Sequence, residues 1–227
     1  MSAVKRNLLV TAACVLSCGL ALGTWSSANA STRVIRTYTE HATISFKGIG
    51  GGVKGYLSYG TDSESVILAP HLALKSSTGN YTVLHGHVTQ SSARFDIVGK
   101  HSYTKLGSQP WMIMSLTADN LAHYAQQVNP YIALSKFSVL PGIRRLSATR
   151  YTVTGRLSRV DSFLSWEYDL PMKAFQGTGI KTVTINLLLD NRDRPAQFTV
   201  SARSSAYVVS IAETFSNYNQ PLKITAP

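Results

Sequence analysis

The sequence predicts an α+β fold, an antiparallel β-sheet with helices gathered on one face. Three observations carry that expectation. The C-terminal stretch from Ile180 to Pro227 is a strand meander: Val183, Ile185, Leu187 and Leu189 recur at period two, which puts four branched apolar side chains on one face of one strand. Residues 117–179 contain blocks with helical spacing. Ahead of them, residues 33–116 are patterned as strands and turns.

The chain opens with an export leader, residues 1–30. Lys5 and Arg6 form its positive region, Leu8 to Leu22 its apolar region, and Ala28-Asn29-Ala30 a small-x-small cleavage site. Residues 31–227 then form a single domain of 197 residues, long enough for one real core. Both cysteines, Cys14 and Cys18, fall inside the leader, so a chain cut after Ala30 has neither disulfides nor cysteine chemistry. Val15-Leu16-Ser17-Cys18 also resembles a lipobox, in which Cys18 would be lipidated. Two fates are open: free export, or a lipid anchor on the outer face of the cell membrane.

In the mature part, Ala42, Ile44 and Phe46 alternate with Thr43 and Ser45, which argues a strand over residues 33–47. Gly48-Ile49-Gly50-Gly51-Gly52 has no Gly-Lys-Ser/Thr after it and reads as a hairpin connection rather than a phosphate loop. A strand over residues 53–59 and an apolar run over 65–74 follow. Lys75 to Asn80 reads as a polar break, and residues 81–89 and 94–106 as a hairpin turning at Gln90-Ser91-Ser92.

The helical block begins at Thr117, a plausible N-cap, with Asp119 in the first turn, where a carboxylate complements the helix dipole. Leu121, Tyr124, Ala125 and Val128 follow at helical spacing. Asn129-Pro130 stops that helix and opens a second one carrying Tyr131, Leu134 and Phe137. Residues 145–157 return to strand, with Tyr151, Val153, Gly155 and Leu157 on one face. Asp161 or Ser162 would cap a third helix bearing Phe163, Leu164, Trp166 and Tyr168. The meander closes the chain: its first turn is Asp190 to Pro195, its second Ser204-Ser205, and a last short run spans Leu222 to Thr225.

Without Lys5 and Arg6 the chain keeps 20 basic against 11 acidic residues, a net of +9. The basic residues are scattered singly apart from Arg144-Arg145, so nucleic acid is not an expected partner, and attraction to an anionic membrane surface is.

Several segments together resemble a known family. Lys105-Leu106-Gly107-Ser108-Gln109-Pro110-Trp111, Asn129-Pro130, Thr149 to Gly155, Leu188 to Pro195 and Phe215 to Pro227 are similar, in order, to motifs of the actinobacterial LppX/LprA/LprF/LprG lipoproteins, which belong with the LolA/LolB-like lipid carriers. Asp193 and Asn219 stand where that family has turn glycines, and Asp and Asn are the next most tolerant of left-handed backbone. The resemblance implies a strongly curved sheet, a half-barrel, with helices across its concave face and an apolar cavity between them. It implies a lipid or lipid-linked ligand carried in the cell envelope, with no cofactor, no metal and no catalysis. Trp111, Met114, Leu121, Tyr124, Leu134, Phe137, Phe163, Trp166, Val183, Ile185, Leu187 and Leu189 are the expected lining, and a monomer is expected. Residue types alone do not separate lining from ordinary core.

Other chemistry is weakly signalled. His85 and His87 share one strand face, with His87 expected near Asp96, but no third zinc ligand is evident. Asp161, Glu167 and Asp169 cluster in sequence, as helix caps and solvated positions do. No Gly-x-Ser-x-Gly elbow occurs, and Ser135-x-x-Ser138 lacks the lysine of a Ser-x-x-Lys motif. A second reading stays open: an exported regulatory or interaction protein with the same fold and a filled interior.

Overall fold

Eleven strands make one antiparallel sheet whose order is β6-β5-β4-β3-β2-β1-β11-β10-β9-β8-β7. They are β1 (Thr37–Gly48), β2 (Leu57–Ile67), β3 (Ala73–Leu84), β4 (His87–Val98), β5 (His101–Leu106), β6 (Met112–Ser115), β7 (Arg144–Arg145), β8 (Arg150–Arg156), β9 (Thr182–Leu189), β10 (Pro195–Arg203) and β11 (Tyr207–Ser216). Among the described residues, three α-helices accompany them: α1 (Ala118–Gln127), α2 (Pro130–Ser138) and α3 (Leu157–Tyr168). This computed structural model describes residues 35–227 apart from Pro70, His85, Gly86, Asp169 and Pro171. The leader, Cys18 and His85 therefore lie outside the described residues.

The sheet is curved and unclosed, and the class is α+β as the sequence predicts. Its first and last long strands, β1 and β11, pair along ten residues, from Thr39 opposite Ser216 to Gly48 opposite Tyr207. That pairing joins an N-terminal half, β1 to β6, to a C-terminal half, β7 to β11.

Local chemistry sets the helix ends. The Thr117 hydroxyl accepts from the Asn120 amide while the Asn120 side chain accepts from the Thr117 amide, a capping box. Asn129 caps α2 by accepting from the Tyr131 amide at 3.0 Å, with Pro130 at the first helical position. The turn between β9 and β10 is built on Asp190, whose carboxylate accepts from the amides of Arg192 and Arg194 and pairs with the Arg194 guanidinium at 2.6 Å. Asp193 and Asn219 adopt left-handed backbone, φ 56° and 59°, a geometry that Asp and Asn tolerate better than most residues.

The core lies under α2 and α3. Phe198 of β10 meets Phe137 of α2 at 5.8 Å, Phe163 of α3 at 5.6 Å and Phe215 of β11 at 6.2 Å between ring centroids. Val183, Ile185 and Val200 complete that floor, each at 1% exposure or less. Rings at these separations pack edge-on or tilted, the arrangements their quadrupoles favour.

The N-terminal half departs from the sequence reading: where a strand over residues 53–59 and an apolar run over 65–74 are expected, β2 runs unbroken from Leu57 to Ile67 and β3 begins at Ala73. Lys75 to Asn80 is not a break. It is the middle of β3, which pairs with β2 on one side and β4 on the other. Gln90-Ser91-Ser92 is not a turn either. It runs inside β4, and the chain reverses instead at Gly99-Lys100, where Gly99 supplies φ 61°. The reason is the same in both polar runs. The inward positions of these runs are Ser76, Thr78 and Asn80 on β3 and Ser91 on β4, polar where a half-buried strand carries Val or Ile, so the sequence pattern of a strand is lost. Two smaller shifts occur. The third helix starts at Leu157, before Asp161, and Leu222 to Thr225 forms no strand.

Candidate functional site

Strand registers decide which side chains share the helix-bearing, concave face. On β1 these are Tyr38, Glu40, Ala42, Ile44 and Phe46. Opposite them on β2 lie Val66, Glu64, Asp62, Gly60 and Ser58, and on β11 Phe215, Glu213, Ile211 and Val209 flank the same row. Further out, Ser76, Thr78 and Asn80 of β3 and Phe95 and Ala93 of β4 continue the face. The concave surface thus has two characters, an apolar half under α2 and α3 and a polar half with a carboxylate cluster at the boundary.

Four carboxyls come from the sheet: Glu40, Asp62, Glu64 and Glu213. The fifth, Glu167, sits near the end of α3. Glu40 and Glu64 are directly opposed across β1 and β2, a placement that like charges disfavour. The Tyr168 hydroxyl donates to Glu213 at 2.9 Å, and Ser76 donates to Asp62 at 3.2 Å. Glu213 is buried, whereas Glu40, Asp62, Glu64 and Glu167 keep part of their surface accessible. Protein surrounds the space they reach, so charge there is poorly solvated.

Proton affinity follows from that setting. Burial, then the neighbouring Glu213 and Asp62 charges, push Glu40 well above the usual carboxylate range. Burial and the Glu167 charge do the same to Glu213, against the opposing hydrogen bond from Tyr168. Glu64 is raised by burial and by Glu40. Asp62 is raised by burial, with Ser76, the Ser63 amide and His41 pulling the other way. Glu167 is pushed up to about 8 by burial and by Glu40, despite Lys136. A carboxyl raised in this way keeps its proton to higher pH than a free carboxylate, and while protonated it donates a hydrogen bond as well as accepting one. Among the described residues, no group of three or more His, Cys, Asp or Glu has the geometry to hold a metal ion.

Above the polar half hangs α1. None of its residues is buried. It meets the sheet through the Tyr124 ring, 5.6 Å from Phe95 of β4, and through the Val128 carbonyl at its C-cap, which accepts from the buried Tyr38 hydroxyl of β1. Leu121 and Tyr124 of α1 and Ile44 and Phe95 of the sheet stay half-buried, and Phe46 is half-buried with its ring 5.9 Å from Phe175. The inward positions beside them on β1, β2 and β3 include Glu40, Glu64, Asp62, Ser76 and Thr78, which are polar or acidic.

The residues expected to line a cavity fall into three places. Val183, Ile185, Leu187, Leu189, Phe137 and Phe163 are in the packed core. Leu121, Tyr124, Leu134 and Trp166 are half-buried on the helices, with Lys136 4.9 Å over the Trp166 ring. Trp111 and Met114 stand at the β6 edge, Trp111 beneath Arg94 and Lys105 at 5.2 and 5.9 Å. His87 does not lie near Asp96. Both belong to β4, nine residues apart, and Asp96 faces Lys75 and Tyr103 across its neighbours. Asp161 is a structural acceptor, bonded by the Met172 amide at 2.5 Å.

Sequence reading missed the carboxylate cluster. A signal was present: Glu213 alternates with Ile211 and Phe215, and Glu40 with Tyr38 and Ala42, so each acid occupies an inward position of an apolar strand face.

No protein-family model matches the chain, and no curated protein does. The fold is similar to the crystal structure of LprF from Mycobacterium bovis, at 12% identity and TM-score 0.36, over 84% of this chain and 90% of that one. It is also similar to a DUF1329 family protein from Desulfovibrio piger, at 10% identity and TM-score 0.27, over 83% and 88%. A β-barrel-like protein of the domain of unknown function DUF1849 from Brucella abortus matches at 8% identity and TM-score 0.25, over 81% and 98%. These relationships are distant.

Proposed function

We propose that the protein binds a lipid or lipid-linked molecule in a trough beneath α1 and carries it in the cell envelope, without chemistry on its ligand. The observation that carries this reading is the suspension of α1: none of its residues is buried, and the apolar side chains between it and the sheet keep accessible surface. Apolar side chains half-exposed beneath a cover are a place for acyl chains, at about 0.8 kcal/mol per methylene buried. The carboxyls of Glu40, Asp62, Glu64 and Glu213 on the concave face offer hydrogen bonds to the ligand's polar part. Export rests on the leader expected over residues 1–30, and the basic net charge suits an anionic envelope surface.

The ligand's place in this reading is not the space under α2 and α3, which Phe137, Phe163 and Phe198 fill. That filling favours the second reading, an exported regulatory or interaction protein whose interior takes no ligand. Native mass spectrometry after detergent-free purification separates the two. Carriage predicts lipid adducts on the wild-type chain and their loss in Leu121→Trp, which fills the trough from a half-buried position. A clean unliganded mass, with no uptake from vesicles, overturns it.

A further inference from the structure

The β6 edge of the sheet does not belong to the trough. Met112, Ile113 and Met114 are 50, 61 and 65% exposed, three large apolar side chains in a row on a strand with one free edge. Alternation puts Ile113 on the convex face and the two methionines on the other, so the edge is apolar from both sides. Trp111 precedes them, half-buried beneath Arg94 and Lys105. On the convex face Ile113 continues a row through Tyr103 and Asp96 to the exposed Lys75, with Arg94 and Lys105 paired in a row alongside. Lys100 is exposed in the adjoining turn.

Charge decides what such an edge accepts. Residues 73–118 carry four Lys or Arg and one acid, Asp96. Asp96 is 1% exposed and lies among Lys75, Arg94 and Tyr103, so the surface it presents outward is basic. Asp119 lies beyond the edge, in the first turn of α1. A second copy paired along β6 would bring two such basic clusters within about 14 Å across three strand spacings, which like charges oppose. An anionic bilayer presents the complement: negative headgroups for the lysines and arginines, an interfacial zone for Trp111, and acyl chains for Met112, Ile113 and Met114.

We propose that the β6 edge, centred on Trp111 to Met114 and ringed by Lys75, Arg94, Lys100 and Lys105, is a docking surface for anionic lipid bilayers. It stands on its own residues and does not depend on carriage of a lipid in the trough. Leu146, exposed after Arg144 and Arg145 at the opposite edge, and Val139, exposed at the end of α2, are the internal comparison.

The test is co-sedimentation of the exported chain, in a Cys18→Ser background that removes any lipid anchor, with vesicles of phosphatidylglycerol and phosphatidylcholine or of phosphatidylcholine alone. Binding is expected to the mixed vesicles and to weaken as salt rises. Changing Met112, Ile113 and Met114 together to serine is expected to lower partitioning about tenfold or more, and Arg94→Gln with Lys105→Gln about tenfold. All five positions are at the sheet edge or on its outer face, and circular dichroism checks that the variants fold. The Val139→Ser, Leu146→Ser variant is expected to bind as the parent does. Equal binding to pure phosphatidylcholine, undiminished binding of the β6 variants, or a solution dimer that the triple variant dissociates would each overturn the assignment. Lipid adducts measured on the same β6 variants report on the trough separately.

Discussion

Glu167 concentrates the question of why five acids gather inside a basic protein. Its pKa of about 8 is raised above the unfolded value of 4.5. A raised acid binds its proton more tightly in the folded state, so its contribution to stability is complete below about 4.5 and is lost as pH rises through about 8. The groups facing it are Glu40, Glu64, Glu213, Tyr168 and Lys136. Glu40, Glu64 and Glu213 are raised too and add to the same trend. Thermal denaturation is therefore expected to give a melting temperature that falls between pH 5 and pH 8.5, the reverse of ordinary acid denaturation. Glu167→Gln, which keeps the shape and removes the ionisation, is expected to flatten part of that fall. A melting temperature that rises across this range contradicts the cluster as described. Asp193 makes a smaller point at the same scale: at φ 56° it occupies glycine geometry, so Asp193→Gly is expected to change stability by no more than about 1 kcal/mol in urea denaturation.

Helices α2 and α3 differ from α1 in how much they hold. Phe163 of α3 is 1% exposed and touches Phe137, Phe198 and Tyr168, so Phe163→Ala is expected to cost about 3–5 kcal/mol in urea denaturation. Leu187→Trp, beneath the same helices, overpacks a filled floor and is expected to cost about 1–3 kcal/mol. Tyr124 of α1 makes its ring contact from a half-buried position, and Tyr124→Ala is expected to cost under about 1 kcal/mol while changing lipid loading. If Tyr124→Ala proves as costly as Phe163→Ala, α1 is core and the trough is closed.

Across the whole molecule, stability is unevenly placed. Most buried apolar side chains lie on β8 to β11 and on α2 and α3; β1 to β4 add one buried cross-strand row, Tyr38, Val66, Leu74 and Ile97, and β5 and β6 lean on backbone pairing. Native-state hydrogen exchange is expected to show its slowest amides in β9, β10 and β11 and its fastest strand amides in β5 and β6. Uniform protection would mean that the N-terminal half gains its stability from contacts the packing does not show.

How far residues speak for themselves depends on what covers them. Where a strand faces an apolar cover, alternation survives in the sequence. β9, β10 and β11 were legible for that reason, as were the Thr117 and Asn129 caps and the left-handed Asp193 and Asn219, each fixed by its own local hydrogen bonds or backbone geometry. The sequence by itself determined these elements, the α+β class and the apolar helical block. Tertiary structure alone decided three things. It paired β1 with β11, it carried β3 and β4 through polar runs, and it brought Glu40, Asp62, Glu64, Glu167 and Glu213 together from four elements. Such choices are not local, because a strand's partner and the cover above its face are set by residues far away in the chain. Of the apolar positions read as a cavity wall, those under α2 and α3 are packed core, because neighbouring phenylalanines occupy the space beside them.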